Sequence, residues 1–304
     1  MNRQDHWNRI RGLRTDIDPG EQFLESSKLG LYDDFPSQEA IVGRMMELLE
    51  TFPYEGYPAT PLPPPPPIAT PFSQVISSRV SARFMKPQQL ELPQLAALLH
   101  HAYGITRDNQ GTGFTRPFRS APSGGGLYPL EVYFHTKRVT GLKPGMYHYN
   151  PSNNEVRMLR EGDQTQQIAE SLVHFQANVA YDSSVIFFLT AIFERSTFKY
   201  GARGYRFIFL EAGHVAQNFN LVATGLGLGL AGTRRGPDRL SSEGRDCYAW
   251  AVPHTQRRFP PSHQAGASFP LTPDVASLPP PVRGFQRRRF RHRVPCLGRL
   301  PKPR

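Results

Sequence analysis

Residues 119–131 read Arg-Ser-Ala-Pro-Ser-Gly-Gly-Gly-Leu-Tyr-Pro-Leu-Glu, and Leu130, Val132 and Phe134 carry on from them in apolar alternation. The alternation predicts a strand, with the glycines in the loop that feeds it. Consecutive glycines remove every Cβ, so a flat ligand can lie directly on the backbone, and their N–H groups can point at its acceptor atoms. Pro122 and Pro129 stiffen the two ends. Taken alone, the same residues also make a plain Gly-rich turn. The rest of the chain decides between the two.

Charge divides the chain into unlike pieces. Of 304 residues with a net charge of +11, residues 1–232 carry 21 bases and 21 acids, so the whole excess lies in the tail. From Thr233 to Arg304, 15 Lys and Arg stand against four acids, among 12 prolines. The only cysteines, Cys247 and Cys296, also lie there, which is neither a disulfide framework nor a zinc site. No run of eighteen apolar residues is present, so no membrane span is expected. The polar N-terminus lacks the apolar core of a signal peptide. A cytoplasmic protein with no membrane partner is the expectation.

Residues 1–56 predict a helical accessory region. Its anchors are Phe23, Leu24 and Leu29, and Ser37 caps a helix with Ile41, Met45, Leu48 and Leu49 on one face. Residues 57–75, with Pro63 to Pro67 in a row, predict a stiff polyproline connector. Residues 76–232 predict the main domain. In its first segment, Arg79, Ser81 and Arg83 project to one side if extended. Two guanidiniums flanking a hydroxyl suit a phosphate, although taken alone the segment reads better as a solvated edge. A helix follows with Leu95, Leu98, Leu99 and Ala102 on its face. His100 and His101 are adjacent, point apart and make a poor metal pair, so no metal site is expected.

Beyond the glycine loop, Asn150 to Asn154 predicts the turn of a hairpin. Thr165 to Phe175 is amphipathic, and Ser184 to Phe193 is an apolar run that predicts a buried strand. A long helix is expected from about Arg203 to Leu226. Its apolar positions are Leu210, Val215, Phe219 and Val222, with small residues at Ala212, Gly213 and Ala216. Glu211, His214, Gln217 and Asn218 form its polar stripe, which fits a buried polar network, a subunit contact or an ordinary exposed face. Gly227 to Gly232 matches G-x-G-x-x-G but closes a helix instead of following a strand, so it is no dinucleotide fingerprint.

Four pieces now stand in order: RVSARF (79–84), RSAPSGGGLYPLE (119–131), Glu194-Arg195 followed by KYGARGYRFIFLEAGHVAQN (199–218), and LGLGL (226–230). Together they resemble the SagB-type dehydrogenases, the ThcOx-like branch of the FMN-dependent nitroreductase superfamily. FLESSKL, from Phe23, is similar to that group's N-terminal region. The resemblance implies an α+β fold: a mixed, mainly antiparallel sheet surrounded by helices, with a long central helix. It implies a homodimer with FMN at the interface. It assigns the FMN phosphate to Arg79, Ser81 and Arg83, and the isoalloxazine to Pro122, Ser123, Gly124 and Gly125. It counts Gly229 among the flavin-binding residues and gives catalysis to Lys199 and Tyr200. Known members oxidise thiazolines or oxazolines in ribosomally made peptides to azoles, which implies a peptide substrate and a cyclodehydratase partner. That chemistry needs a base for a carbon-bound proton. A lysine serves if burial or a neighbouring cation brings its pKa toward neutrality, and Tyr200 beside it can relay the proton.

Two further readings stay open: a general NAD(P)H-dependent reductase of nitro compounds or quinones, which needs the same loop, and a degenerate, non-catalytic member. Nucleic-acid binding through the arginine tail ranks last, since the tail has no recognisable binding fold. Residues 233–304 leave the family pattern. With no sustained period and a composition of Arg, Pro and Gly, they predict a disordered extension or a frameshift product, without a further strand.

Overall fold

A computed structural model of the chain describes residues 19–28, 36–82, 86–109, 116–172, 176–233 and 248–252. All of them fall in the first of two units, Met1–Arg258; the second, Phe259–Arg304, lies outside the described residues. The strands are β1 (Ala59–Pro61), β2 (Ile105–Arg107), β3 (Phe118–Arg119), β4 (Leu130–Thr136), β5 (Gly145–Asn150), β6 (Glu155–Glu161), β7 (Val185–Ala191), β8 (Ala231–Thr233) and β9 (Tyr248–Val252). Seven of them form one sheet in the order β1-β6-β5-β4-β7-β9-β8, antiparallel at every step, and β2 and β3 pair separately. The helices are α1 (Pro19–Ser26), α2 (Gln38–Glu47), α3 (Phe72–Ser78), α4 (Leu92–Tyr103), α5 (Thr165–Ser171), α6 (Ala177–Asp182), α7 (Glu194–Tyr200) and α8 (Gly204–Gly225). This is the α+β architecture with a long central helix.

The core follows from β4 and β7. Their register sets Leu130 opposite Ala191, Val132 opposite Leu189 and Phe134 opposite Phe187. On that face α4 contributes Leu95, Leu98 and Leu99, each fully buried, and α8 contributes Val215 and Phe219. The Phe187 and Phe219 rings stack at 4.5 Å, and Phe134 lies flat on Tyr147 at 5.1 Å. The opposite face is covered by a smaller cluster of Ile168, Leu172, Ala180 and Ile186, which seats α5 and α6. The expected hairpin is present: Asn150 Oδ1 accepts from Ser152 N and Asn153 N at 3.0 and 3.3 Å, and Asn154 takes a left-handed φ of 48°. The expected cap is present too, with Ala40 N donating to Ser37 Oγ at 3.2 Å.

Several expectations change. The helix opening at Thr165 ends at Ser171, and Phe175 lies outside the described residues. The phase of α8 differs: Leu210 is 59% exposed, whereas Glu211 is 1% exposed. Ile208, Glu211, Ala212, Val215, Phe219 and Val222 share the buried stripe, because positions three and four apart lie on one face. The proline-rich segment is no free connector. Ala59–Pro61 forms the edge strand on β6, where proline's missing N–H is tolerated, and Leu62 is buried in the core. Leu62 N donates to Asn154 O at 2.9 Å, and Thr70 Oγ1 to Gly225 O at 2.9 Å. A strand also follows Thr233 after all. Tyr248–Val252 pairs with β7 from Leu189↔Tyr248 to Val185↔Val252 and with β8 on its other side. Its five residues, Tyr-Ala-Trp-Ala-Val, are a run without charge that is too short to register as a sustained period. The remainder of residues 234–304 lies outside the described residues.

Candidate functional site

The loop between β3 and β4 is built to bring backbone, not side chains, to its surface. Ser123 is extended, and Gly124–Gly126 make a single 3-10 turn. Gly125 and Gly126 have φ of 69° and 66°, the left-handed region that favours glycine. Tyr128 N donates to Ser123 Oγ at 2.9 Å, Gly126 N to Ser123 O at 3.1 Å, and Arg119 N to Tyr128 Oη at 3.0 Å. The turn is therefore closed from within.

Lys199 and Tyr200 arrive at this turn from α7. A Cβ on Gly125 would stand 2.5 Å from Tyr200 Oη and 3.1 Å from Lys199 Nζ, and one on Gly124 would stand 3.1 Å from the Phe207 ring. Lys199 Nζ lies 5.2 Å from the centroid of the Tyr200 ring, and the Tyr200 and Phe207 rings meet edge to face at 4.8 Å. The sharp reversal between α7 and α8 makes this possible. Gly201 has φ 52° and ψ −142°, and a Cβ on Gly204 would come within 3.0 Å of the Ser196 and Thr197 backbone. Four of the expected residues, Gly124, Gly125, Lys199 and Tyr200, thus lie together.

One consequence is measurable on the protein alone. Gly125→Ala meets both a left-handed φ and the Tyr200 hydroxyl, whereas Gly126→Ala meets the φ with nothing within 4 Å. The backbone penalty of about 1–3 kcal/mol is common to both, so Gly125→Ala should be the less stable variant in urea titrations. Equal midpoints would mean that Tyr200 does not lie against the loop.

A buried ion pair sets α7 against β4. Arg195, 1% exposed, donates from Nη1 to Glu131 Oε1 at 2.6 Å and to Tyr128 O at 3.4 Å. The other oxygen of Glu131 lies 2.6 Å from His148 Nε2 and accepts from Thr51 Oγ1 at 2.9 Å. Burial pushes the Glu131 carboxyl up, but the His148 hydrogen bond and the Arg195 charge outweigh it and hold the group below the usual carboxylate range. Glu131 was in view as the last residue of the loop motif, without a role. A charge inside an alternating apolar strand was the signal.

Arg116 and Arg119 tie the N-terminal region to the same place. Arg116 donates from Nη2 to Met45 O and Leu48 O at 2.9 and 2.6 Å and from Nη1 to Leu127 O at 3.2 Å; Arg119 Nη2 donates to Glu50 O at 2.9 Å. The Arg119 guanidinium also lies over the rings of Tyr103 and Tyr128, at 4.5 and 5.1 Å. Beneath the loop, Tyr103 Oη donates to Glu211 Oε1 at 2.5 Å and accepts from Leu130 N at 3.3 Å. Burial raises Glu211 to about 7, against the opposing pull of the Ser123 and Tyr103 hydroxyls and of Arg119 and Arg195.

The remaining expected residues form a second group. Ser81 bridges Leu230 in parallel, Ala82 N donates to Leu230 O at 2.9 Å, and Gly229, next to Leu230, is buried. Arg79 closes α3, its N–H bonded to Val75 O at 3.1 Å. The exposed Pro122 precedes the turn, and Arg83 lies outside the described residues. Among the described residues no cluster of three or more ligating side chains could hold a metal, and no helix is long and apolar enough to cross a membrane.

The sequence pattern of the nitroreductase family matches residues 76–233. The chain is 35% identical over 155 residues to MJ1384, a nitroreductase-like protein of Methanocaldococcus jannaschii, covering 51% of this chain and 74% of that one. It is 33% identical over 114 residues to the microcin B17-processing protein McbC of Escherichia coli, covering 36% of this chain and 42% of McbC. To the trifolitoxin-processing protein TfxB of Rhizobium leguminosarum bv. trifolii it is 28% identical over 158 residues, covering 51% of this chain and 42% of TfxB. The chain thus spans less than half the length of either processing protein. A crystal structure of a nitroreductase-like protein from Anabaena variabilis shares the fold, with a TM-score of 0.57 and 21% identity over 74% of this chain and 49% of that one.

Proposed function

Since this chain belongs to the nitroreductase family, we propose that it is an FMN-dependent dehydrogenase of the SagB type, oxidising thiazolines or oxazolines in a peptide to azoles. The observation that carries the reading is the place of Lys199 Nζ and Tyr200 Oη, which stand together where a side chain on Gly125 would be. The residues present fit a flavin. The Gly124–Gly126 turn offers Cβ-free backbone, and Gly126 faces open space on the side where a side chain would stand. Arg79, Ser81 and Gly229 supply donors of the kind that hold a phosphate, with Arg83 as a further candidate. Bound FMN would supply two-electron acceptance.

The chain's own residues supply the rest. Aromatising an azoline removes a proton and a hydride from adjacent ring carbons. The proton needs an acceptor at the face where the ring binds. Lys199 and Tyr200 stand at the loop together, one able to take the proton and the other to share it. The likeness to two peptide-processing proteins supports a peptide substrate, and with it a cyclodehydratase that makes the azoline. Phe209 and Leu210 on α8 and Phe72 on α3, 38%, 59% and 70% exposed, are apolar surface of the kind a second copy would cover.

Two measurements test this. The purified protein should release FMN on denaturation and convert an azoline peptide to an azole without NAD(P)H. Reduction of its flavin by NADPH, with no turnover of the azoline, would favour the general nitro or quinone reductase instead. For the phosphate, one charge-assisted bond contributes about 1.5–3 kcal/mol, so Arg79→Ala should weaken FMN binding at least roughly tenfold. Unchanged affinity in an Arg79→Ala/Arg83→Ala protein would rule out this phosphate site.

A further inference from the structure

The long helix carries a buried carboxyl that the chemistry above does not use. Glu211 is 1% exposed, and its Oε2 has no hydrogen-bond partner among the described residues. Its surroundings connect it to both ends of the glycine loop. At the entry, the Ser123 hydroxyl oxygen accepts from Tyr128 N at 2.9 Å, which leaves its own hydrogen free to turn toward the Glu211 carboxyl, whose ionisation it favours. At the exit, Tyr103 Oη accepts from Leu130 N at 3.3 Å and donates to Glu211 Oε1 at 2.5 Å. One side chain is therefore bonded to the exit through Tyr103 and stands where Ser123 can donate to it from the entry, the two ends of the segment whose middle is the Cβ-free turn.

We infer that Glu211 is the positioning residue of the glycine loop, holding the backbone on which a flavin would lie through Ser123 and Tyr103, more firmly as a carboxylate than as a carboxylic acid. The ionised group accepts from Tyr103 and can accept from Ser123 as well. The protonated group must place its own hydrogen, and with no acceptor beside Oε2 it competes with one of those two donors. The groups facing it are Tyr103 from α4, Ser123 from the loop, Arg119 from β3 and Arg195 from α7. Burial works against ionisation and the two guanidiniums work for it, so the change of state falls at about 7.

The inference rests on the flavin reading of the loop, and the test separates the two. FMN affinity of the apoprotein is measured by flavin fluorescence from about pH 6 to about pH 8, spanning the titration. In the unsubstituted protein it should rise with pH, by up to roughly tenfold for each unit by which binding lowers the pKa of Glu211. Glu211→Gln keeps the shape, does not titrate and should be flat apart from the ligand phosphate's own titration, which both proteins share. Amide exchange at Gly126 and Tyr128 in the apoprotein, corrected for the intrinsic pH effect, should show the same contrast with no flavin present. If no FMN binds, the flavin reading fails and the exchange arm alone decides on Glu211. A Glu211→Gln protein with the parent's pH dependence in affinity or in exchange overturns the inference. So does a parent protein whose loop exchange is independent of pH. If Glu211→Gln does not fold, Ser123→Ala and Tyr103→Phe each cut one tie. Loss of the pH dependence in either supports the inference, and its retention in both overturns it.

Discussion

Lys199→Ala and Tyr200→Phe should each slow azoline oxidation by about two to four orders of magnitude, the range for loss of a general base, while leaving FMN bound. The separation is expected from where the side chains stand. Both come from the last turn of α7 and reach Gly125 from outside, whereas the turn is closed by its own hydrogen bonds through Ser123 and Tyr128. Removing the ammonium or the hydroxyl leaves that closure untouched. Both side chains are half-buried, so neither truncation opens a core cavity. Single-turnover conversion of an azoline peptide, with flavin occupancy read from the absorbance of the same samples, measures both quantities. Variants that turn over like the parent would show that the pair is not catalytic.

The second large effect is on stability. Glu194 and Arg195 are adjacent and both are ion-paired, yet they should behave oppositely. Glu194 pairs with Arg44 at the surface, with side chains 59% and 41% exposed, and such solvated pairs contribute little to stability. Arg195 and Glu131 have side chains 2% and 1% exposed, and removing one partner of such a pair costs about 3–5 kcal/mol, because the other is left charged and buried. Arg195→Ala should therefore lower the urea midpoint severely, while Arg44→Ala leaves it nearly unchanged. Similar midpoints for the two variants would mean that the buried pair is not structural. The pH dependence follows from the signs. The folded-state pKa of Glu131 is lowered, so its contribution is present above the unfolded value of 4.5 and is lost as pH falls through the folded one. Glu211 is raised, so the folded state holds its proton longer, and its contribution declines as pH rises from 4.5 to about 7. The two buried carboxyls give the stability curve opposing slopes in separate ranges.

The loop, its strand and the hairpin were legible because each is local: glycines next to strict alternation, and an Asn-rich turn between two short apolar runs. Lys199 and Tyr200 were legible only through the resemblance, since no spacing rule brings residue 199 to residue 125. What was not legible depended on phase or on distant partners. Glu211 belonged to a polar stripe that fitted a buried network, a subunit contact or an exposed face alike, because its partners lie far off in sequence while its neighbours, Leu210 and Ala212, held apolar and small places. A small shift of helical phase turns Leu210 outward and Glu211 inward, and only the partners Tyr103 and Ser123 make that tolerable. The proline-rich segment looked like a spacer because polyproline composition says nothing about a nearby strand edge. Β6 offers one, and residues 59–61 take it.

The place of Tyr248–Val252 in the sheet has a bearing on how the protein is made. Synthesis delivers β7 long before the strand that lies along its outer edge, and among the described residues β8 has no strand partner other than that same late segment. Until it arrives, Val-Ile-Phe-Phe-Leu-Thr-Ala, uncharged and free of proline, presents a row of unpaired N–H and C=O groups. A nascent chain, or one cut short after residue 233, is therefore open to strand addition from another copy. Chaperones and proteases would meet the protein in that interval, and its yield in the cell would depend on how quickly the last strand is captured.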